Sequence, residues 1–128
     1  MLCIDTSSLI VYLEGEQGDD VELIHQALTD QIGVFAPVIV TELLSDPKLS
    51  PSVRQTILGI PVLPLMEGYW ERTGLLRAKV LRLGAKARLA DALIAQSCLD
   101  HNVPLVTRDR DFRAFKRVAD LKLLAASS

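Results

Sequence analysis

Short apolar runs rich in branched residues alternate along this chain with stretches of helical length, and that alternation leaves few architectures open. Residues 1–4, 34–36, 103–107 and 121–124 read as strands, and a strand-like Val62-Leu63 sits between Pro61 and Pro64. Thr6-Ser7-Ser8 offers N-cap chemistry to a helix carrying Leu9, Ile10 and Leu13 that Gly15 ends. Asp19-Asp20 opens a helix with Val21, Ile24, Ala27 and Leu28 at helical spacing. Pro37 suits the first turn of the next helix, and Ser50-Pro51 starts another that reaches about Leu58. A long helix over 67–83 stops at Gly84, a further one covers 88–100, and a short one spans 111–115. Strands alternating with helices imply an α/β sandwich around a mostly parallel sheet. No linker, repeat or low-complexity segment interrupts residues 1–128, so one domain is expected.

The bulk numbers exclude several classes. Apolar residues make up 49% of the chain, which argues against disorder. Charges interrupt every apolar run before the ~18 residues of a membrane span, and Asp5 breaks the amino-terminal run before it could serve as a secretory leader. Cys3 and Cys98 lack metal-ligand spacing and read as buried reduced thiols of a cytoplasmic protein. The net charge of −2 conceals an asymmetry: residues 1–71 hold 11 acids and 2 bases, whereas residues 72–128 hold 5 acids and 12 bases. The basic half could face a polyanion or simply solvate helix faces.

Five acids occupy awkward places. Asp5 closes the first strand, Asp109 and Asp111 follow the strand ending at Thr107, and Glu42 lies in a helix behind Val38 and Ile39. Asp91 shares a helix face with Ala87, Ile94, Ala95 and Cys98. Each has a plainer use. Asp5 could cap a helix, Glu42 could be exposed, Asp91 could pair with Lys86 or Arg88, and Asp109 and Asp111 could organise a turn. Together they are better explained by a shared pocket, because parallel sheets gather ligands at the carboxyl ends of their strands. Converging carboxylates repel unless a divalent cation joins them. An all-oxygen donor set favours Mg²⁺ or Mn²⁺ over zinc, and such ions suit phosphodiester hydrolysis. His25 and His101 are poorly placed for a metal-free histidine mechanism.

Ile4-Asp5-Thr6-Ser7-Ser8-Leu9-Ile10, Thr41-Glu42-Leu43, Asp91-Ala92-Leu93-Ile94-Ala95 and Val106-Thr107-Arg108-Asp109-Arg110-Asp111-Phe112 resemble, in order and spacing, the motifs of PIN domains. Order and total length are similar to VapC-type toxins of toxin–antitoxin pairs. The resemblance implies a three-layer α/β/α fold and a Mg²⁺- or Mn²⁺-dependent ribonuclease. It implies an acidic quartet of Asp5, Glu42, Asp91 and Asp109, with Asp111 as a further acid. It also makes Ser7 and Thr107 polar supports of the carboxylates or of a water, and implies a homodimer held inactive by an antitoxin.

Lys86, Arg88, Arg108 and Arg110 lie close to these motifs and are candidate RNA contacts, through phosphates rather than bases. Arg72 and Lys79 read as parts of a solvated helix face. Tyr69, Trp70 and Phe112 could stack bases, but core packing is the expected role for each. Leu9, Ile10, Leu13, Leu43 and Leu44 are likewise expected in the core, with a partner surface as the alternative. Two other functions fit less of the chain. A receiver-type signalling domain would need an acidic pair after the first strand and a strand-end lysine, and neither is present. A PIN-like binding module that does not cleave would carry the same acids.

Overall fold

The computed structural model describes residues 1–125. Four strands, β1 (Leu2–Ile4), β2 (Gly33–Val34), β3 (Leu105–Thr107) and β4 (Leu123–Ala125), pair in the order β2-β1-β3-β4, all parallel. The chain leaves β1 towards β2 on one side and returns to β3 on the other. Adjacent β1 and β3 thus form the switch point of the sheet, where a crevice opens at the carboxyl ends. Cys3 pairs with Leu105 and Ile4 with Val106, which brings Asp5 level with Thr107.

The helices are α1 (Thr6–Leu13), α2 (Asp19–Thr29), α3 (Pro37–Leu44), α4 (Pro51–Leu58), α5 (Tyr69–Arg82), α6 (Leu89–His101) and α7 (Arg113–Val118), the last preceded by a 3₁₀ turn over Arg110–Phe112. Because parallel crossovers are right-handed, the β1–β2 connection carries α1 and α2 on one face. The later helices cover the other, giving the three layers expected. Contacts agree: α1 packs on α2, while α6 meets α3 and α5, and α5 meets α7. Local chemistry sets the ends. Ser50 accepts a hydrogen bond from the Val53 amide at 3.2 Å with Pro51 behind it, and Asn102 closes α6 in a left-handed conformation.

Ile4, Phe35, Leu105, Val106, Phe112 and Phe115 are fully buried at the centre of the core. Gly33 permits the close β1–β2 approach: a Cβ there would stand 3.0 Å from Ile4 Cδ1 and 3.4 Å from Leu28 Cδ2.

The strands are shorter than the sequence suggests. The run 103–107 becomes β3 only from Leu105, after Pro104, which has no N–H to give. Val62 makes a single bridge to Phe35 rather than a strand. Several side chains also depart from expectation. Trp70 is 63% exposed rather than core, whereas Tyr69 and Phe112 are buried as expected. Ile10, Leu13 and Leu44 are exposed while Leu9 and Leu43 are buried, so these five leucines and isoleucines divide between core and surface. Arg72 is no solvated face residue. It forks onto Asp100 at 3.1 and 2.6 Å and ties α5 to the end of α6. No helix among the described residues is long and apolar enough to cross a membrane.

Candidate metal centre

The acids converge where the switch point predicts. β1 leads directly into Asp5, whose Oδ2 accepts hydrogen bonds from Thr107 Oγ1 (2.7 Å) and Ser7 Oγ (2.8 Å). Asp5 sits at the N-cap of α1 but makes no side-chain capping bond, so the cap alternative fails. Thr107 closes β3 and is fully buried. Its oxygen also accepts the Asp109 N–H at 3.0 Å, so one hydroxyl joins the ends of two strands. Asp109 Oδ1 in turn accepts the Asp111 N–H at 2.9 Å, which folds the 3₁₀ turn back on itself.

Asp91 enters from the first turn of α6. Asp91, Asp109 and Asp111 each present a carboxylate oxygen within 4.8 Å of the others. Among the described residues, Asp91 Oδ2 is the buried side-chain atom left without a hydrogen-bond partner. A buried acceptor with no donor is costly and calls for a ligand.

The electrostatics say the same. Burial first, and then the charges of Asp109 and Asp5, push the Asp91 carboxyl up to about 7, with Arg88 acting in the opposite sense. Burial likewise raises Asp5, against the hydrogen bonds of Thr107 and Ser7, and Asp109 adds to the rise. A divalent cation would reverse both tendencies. The orphaned oxygen and an all-carboxylate donor set therefore fit Mg²⁺ or Mn²⁺.

Three acids stand differently from expectation, the first being Asp5, which lies outside the tight group although its charge reaches Asp91. Asp111, expected as an accessory, belongs to the tight group. Glu42 is exposed rather than on the buried side of α3, and lies outside that group. Ile39 and Leu43 take the buried positions of α3, and Glu42 is tied to Thr6 through a 2.8 Å hydrogen bond to Oε1. It nonetheless borders the site, since Thr6 follows Asp5.

The cations also divide. Lys86 Nζ and Arg88 Nη2 approach Asp111 Oδ2 at 3.7 and 4.0 Å, not Asp91. Lys86, Arg110, Arg113 and Arg117 line an open groove of about 260 Å³ beside Asp111. Arg108 points elsewhere, forming a bidentate pair with Asp20. Asp20 escaped the sequence reading because aspartates at a helix start are ordinary. Its spacing to Leu23, Ile24 and Ala27 was the available signal, the same one that marked Asp91. A second groove of about 320 Å³, lined by Ile10, Leu13, Leu43, Leu49 and Val53 among others, adjoins Glu42.

The PIN-domain family model matches residues 2–120. Among solved structures, the chain is similar to VapBC-1 from nontypeable Haemophilus influenzae, with a TM-score of 0.73 and 19% identity over 99% of this chain and 98% of that one. It is also similar to VapBC2 from Rickettsia felis bound to a promoter DNA fragment, with a TM-score of 0.72 and 18% identity over 96% of each chain. A member of the VapBC family of toxin–antitoxin systems from Mycobacterium tuberculosis, VapBC-5, matches with a TM-score of 0.65 and 21% identity over 95% of each chain. These likenesses concern the fold. No curated protein matches the chain.

Proposed function

The chain belongs to the PIN-domain family, and from that premise we propose that it is a divalent-metal-dependent endoribonuclease, the toxin of a toxin–antitoxin pair. The observation that carries this reading is Asp91 Oδ2, buried and without a donor inside a knot of carboxylates. Asp5, Asp91, Asp109 and Asp111 would hold Mg²⁺ or Mn²⁺, with Glu42 at the rim. When bound, such an ion lowers the pKa of water and offsets charge on the scissile phosphate.

The chain's own groups do the rest. Ser7 and Thr107 donate to the same oxygen of Asp5, which fixes the rotation of that carboxylate before substrate arrives. Glu42, exposed and steadied by Thr6, can orient an attacking water and accept its proton at Oε2, the oxygen that Thr6 leaves free. In-line hydrolysis of this kind leaves a 5′-phosphate and a 3′-hydroxyl. Lys86 and Arg110 supply phosphate contacts along the groove beside Asp111, and Arg88 adds another from its position 4.0 Å from Asp111 Oδ2. Arg108 is set apart from them because its guanidinium is held by Asp20.

The reading takes residues 1–128 as one PIN-like domain, cytoplasmic and homodimeric, restrained by an antitoxin in the apolar groove that adjoins Glu42. Support for that partner comes from the VapBC complexes that share the fold. The decisive experiment is cleavage of RNA by purified protein with Mn²⁺, with EDTA, and with the Asp5→Asn variant. Cleavage that persists in EDTA, or at wild-type rate in Asp5→Asn, sinks the proposal. A protein that binds RNA and cuts none is a binding module instead.

A further inference from the structure

Beside the acids that would hold a cation, one buried charge is answered in full. Asp20, in the first turn of α2, is 4% exposed. Its Oδ2 accepts Arg108 Nε–H at 2.7 Å and Ser8 Oγ–H at 2.8 Å, and its Oδ1 accepts Arg108 Nη2–H at 3.0 Å. A guanidinium meeting a carboxylate as two parallel bonds fixes direction as well as distance. The backbone closes over the pair at Gly18, whose φ is +150°. A Cβ at Gly18 would stand 2.8 Å from Asp20 Oδ1 and 3.3 Å from Arg108 Nη2, so only glycine allows this approach.

Arg108 lies between Thr107 and Asp109. The turn after β3 is therefore gripped at two successive residues, by Asp5 through Thr107 and by α2 through Arg108. Such a grip has work to do. Three carboxylates with oxygens within 4.8 Å of one another drive their carriers apart, and two of the three sit on this turn.

We propose that Asp20 is a positioning residue for the acidic centre, fixing through Arg108 the turn that sets Asp109 and Asp111 beside Asp91. Asp20 itself touches neither ion nor RNA. The inference rests on reading that centre as a cation site, and its test separates the two.

The full chain is compared with Asp20→Asn, which keeps shape and removes charge, and with Arg108→Lys, which keeps charge and removes the fork. Backbone amide exchange is followed residue by residue, and Mn²⁺ binding is measured by calorimetry without RNA. Faster exchange is expected at the Asp109 and Asp111 amides, with α6 and β1 unchanged. Mn²⁺ affinity should fall about tenfold in each variant. Unchanged exchange in the turn, or exchange raised uniformly through α6 and β1, overturns the proposal. So does wild-type Mn²⁺ affinity in a variant whose turn has loosened. If the wild type binds no Mn²⁺, the cation reading of the centre fails, while local loosening of the turn still decides whether Asp20 positions it. Arg108→Lys, altered on a partly exposed side chain, carries the test should Asp20→Asn fail to fold.

Discussion

Asp20 and Asp91 are two aspartates in the first turns of two helices, both on the apolar face and both buried. Asp20 meets a guanidinium and a hydroxyl, and the Arg108 bonds above all hold its carboxyl below the usual range. Asp91 meets other carboxylates and has an oxygen without a donor, so its carboxyl is held near 7, up to about 7 as burial and its neighbours dictate. Burial alone therefore does not distinguish a charge that builds the fold from one that awaits a ligand. What distinguishes them is whether the fold supplies the counter-charge.

The contrast can be broken at either end. The largest effect is expected at Asp91. Asp91→Asn should cut metal-dependent RNA cleavage by more than about 100-fold, beyond what loss of a supporting partner costs. Single-turnover rates at saturating Mn²⁺ measure it, and a loss of only a few-fold would mean Asp91 is not a ligand.

The second effect is on stability and has opposite signs at the two residues. The folded carboxyl of Asp91 is raised from 3.8 to about 7, so the unfolded chain releases its proton first. Its favourable contribution is full below pH 3.8 and is lost as pH rises towards 7. Asp91→Asn should accordingly stabilise the metal-free protein at pH 8 by roughly 2–4 kcal/mol, and Mn²⁺ should erase the difference. Denaturant unfolding at pH 5 and pH 8 reads this directly; a destabilised Asp91→Asn at pH 8 would contradict it.

Asp20 runs the other way. Its lowered carboxyl contributes stability above 3.8 that disappears as pH falls below that value. Asp20→Asn should cost about 1–2 kcal/mol at pH 7, the range being modest because Arg108 is partly exposed and keeps access to water. The penalty should shrink at pH 3. Smallest of all, Ser8→Ala removes one hydroxyl donor from Asp20 and should cost about 1 kcal/mol, measured in the same unfolding series.

What could be read in the sequence follows the same division. Asp5, Asp109 and Asp111 were legible because a carboxylate at the end of an apolar run is placed by the strand itself. Asp91 was legible because helical spacing alone puts it among Ile94, Ala95 and Cys98. Asp20 satisfied the same spacing, but its partner lies 88 residues away, and no local rule joins α2 to the turn after β3. Arg108 was misplaced for that reason, as one cation of a basic run rather than half of a pair. Glu42 was placed too deep because the residues on either side of it, Thr41 and Leu43, do not reveal which way a short helix is rotated. Trp70 shows the converse: its neighbour Tyr69 takes the buried position, with its hydroxyl donating to Leu93 O at 2.6 Å, and one residue of helical rotation turns the indole outward. The layer order needed only the alternation of strands and helices. The true strand lengths needed the pairing partners: Pro104 holds the start of β3 to Leu105, and Gly33 enters β2 opposite Leu2.

The Thr107 hydroxyl that joins Asp5 to Asp109 spans 102 residues of chain. A growing polypeptide makes Asp5 102 residues before the partner that orients it, with Asp109 and Asp111 later still. Until β3 docks beside β1, the earlier carboxylates face water separately, and closing so long a loop is a late and slow event in folding. The centre is thus assembled by completion of the fold, so a ribosome stalled before β3 has been made would hold no organised site, whatever acids it had already translated.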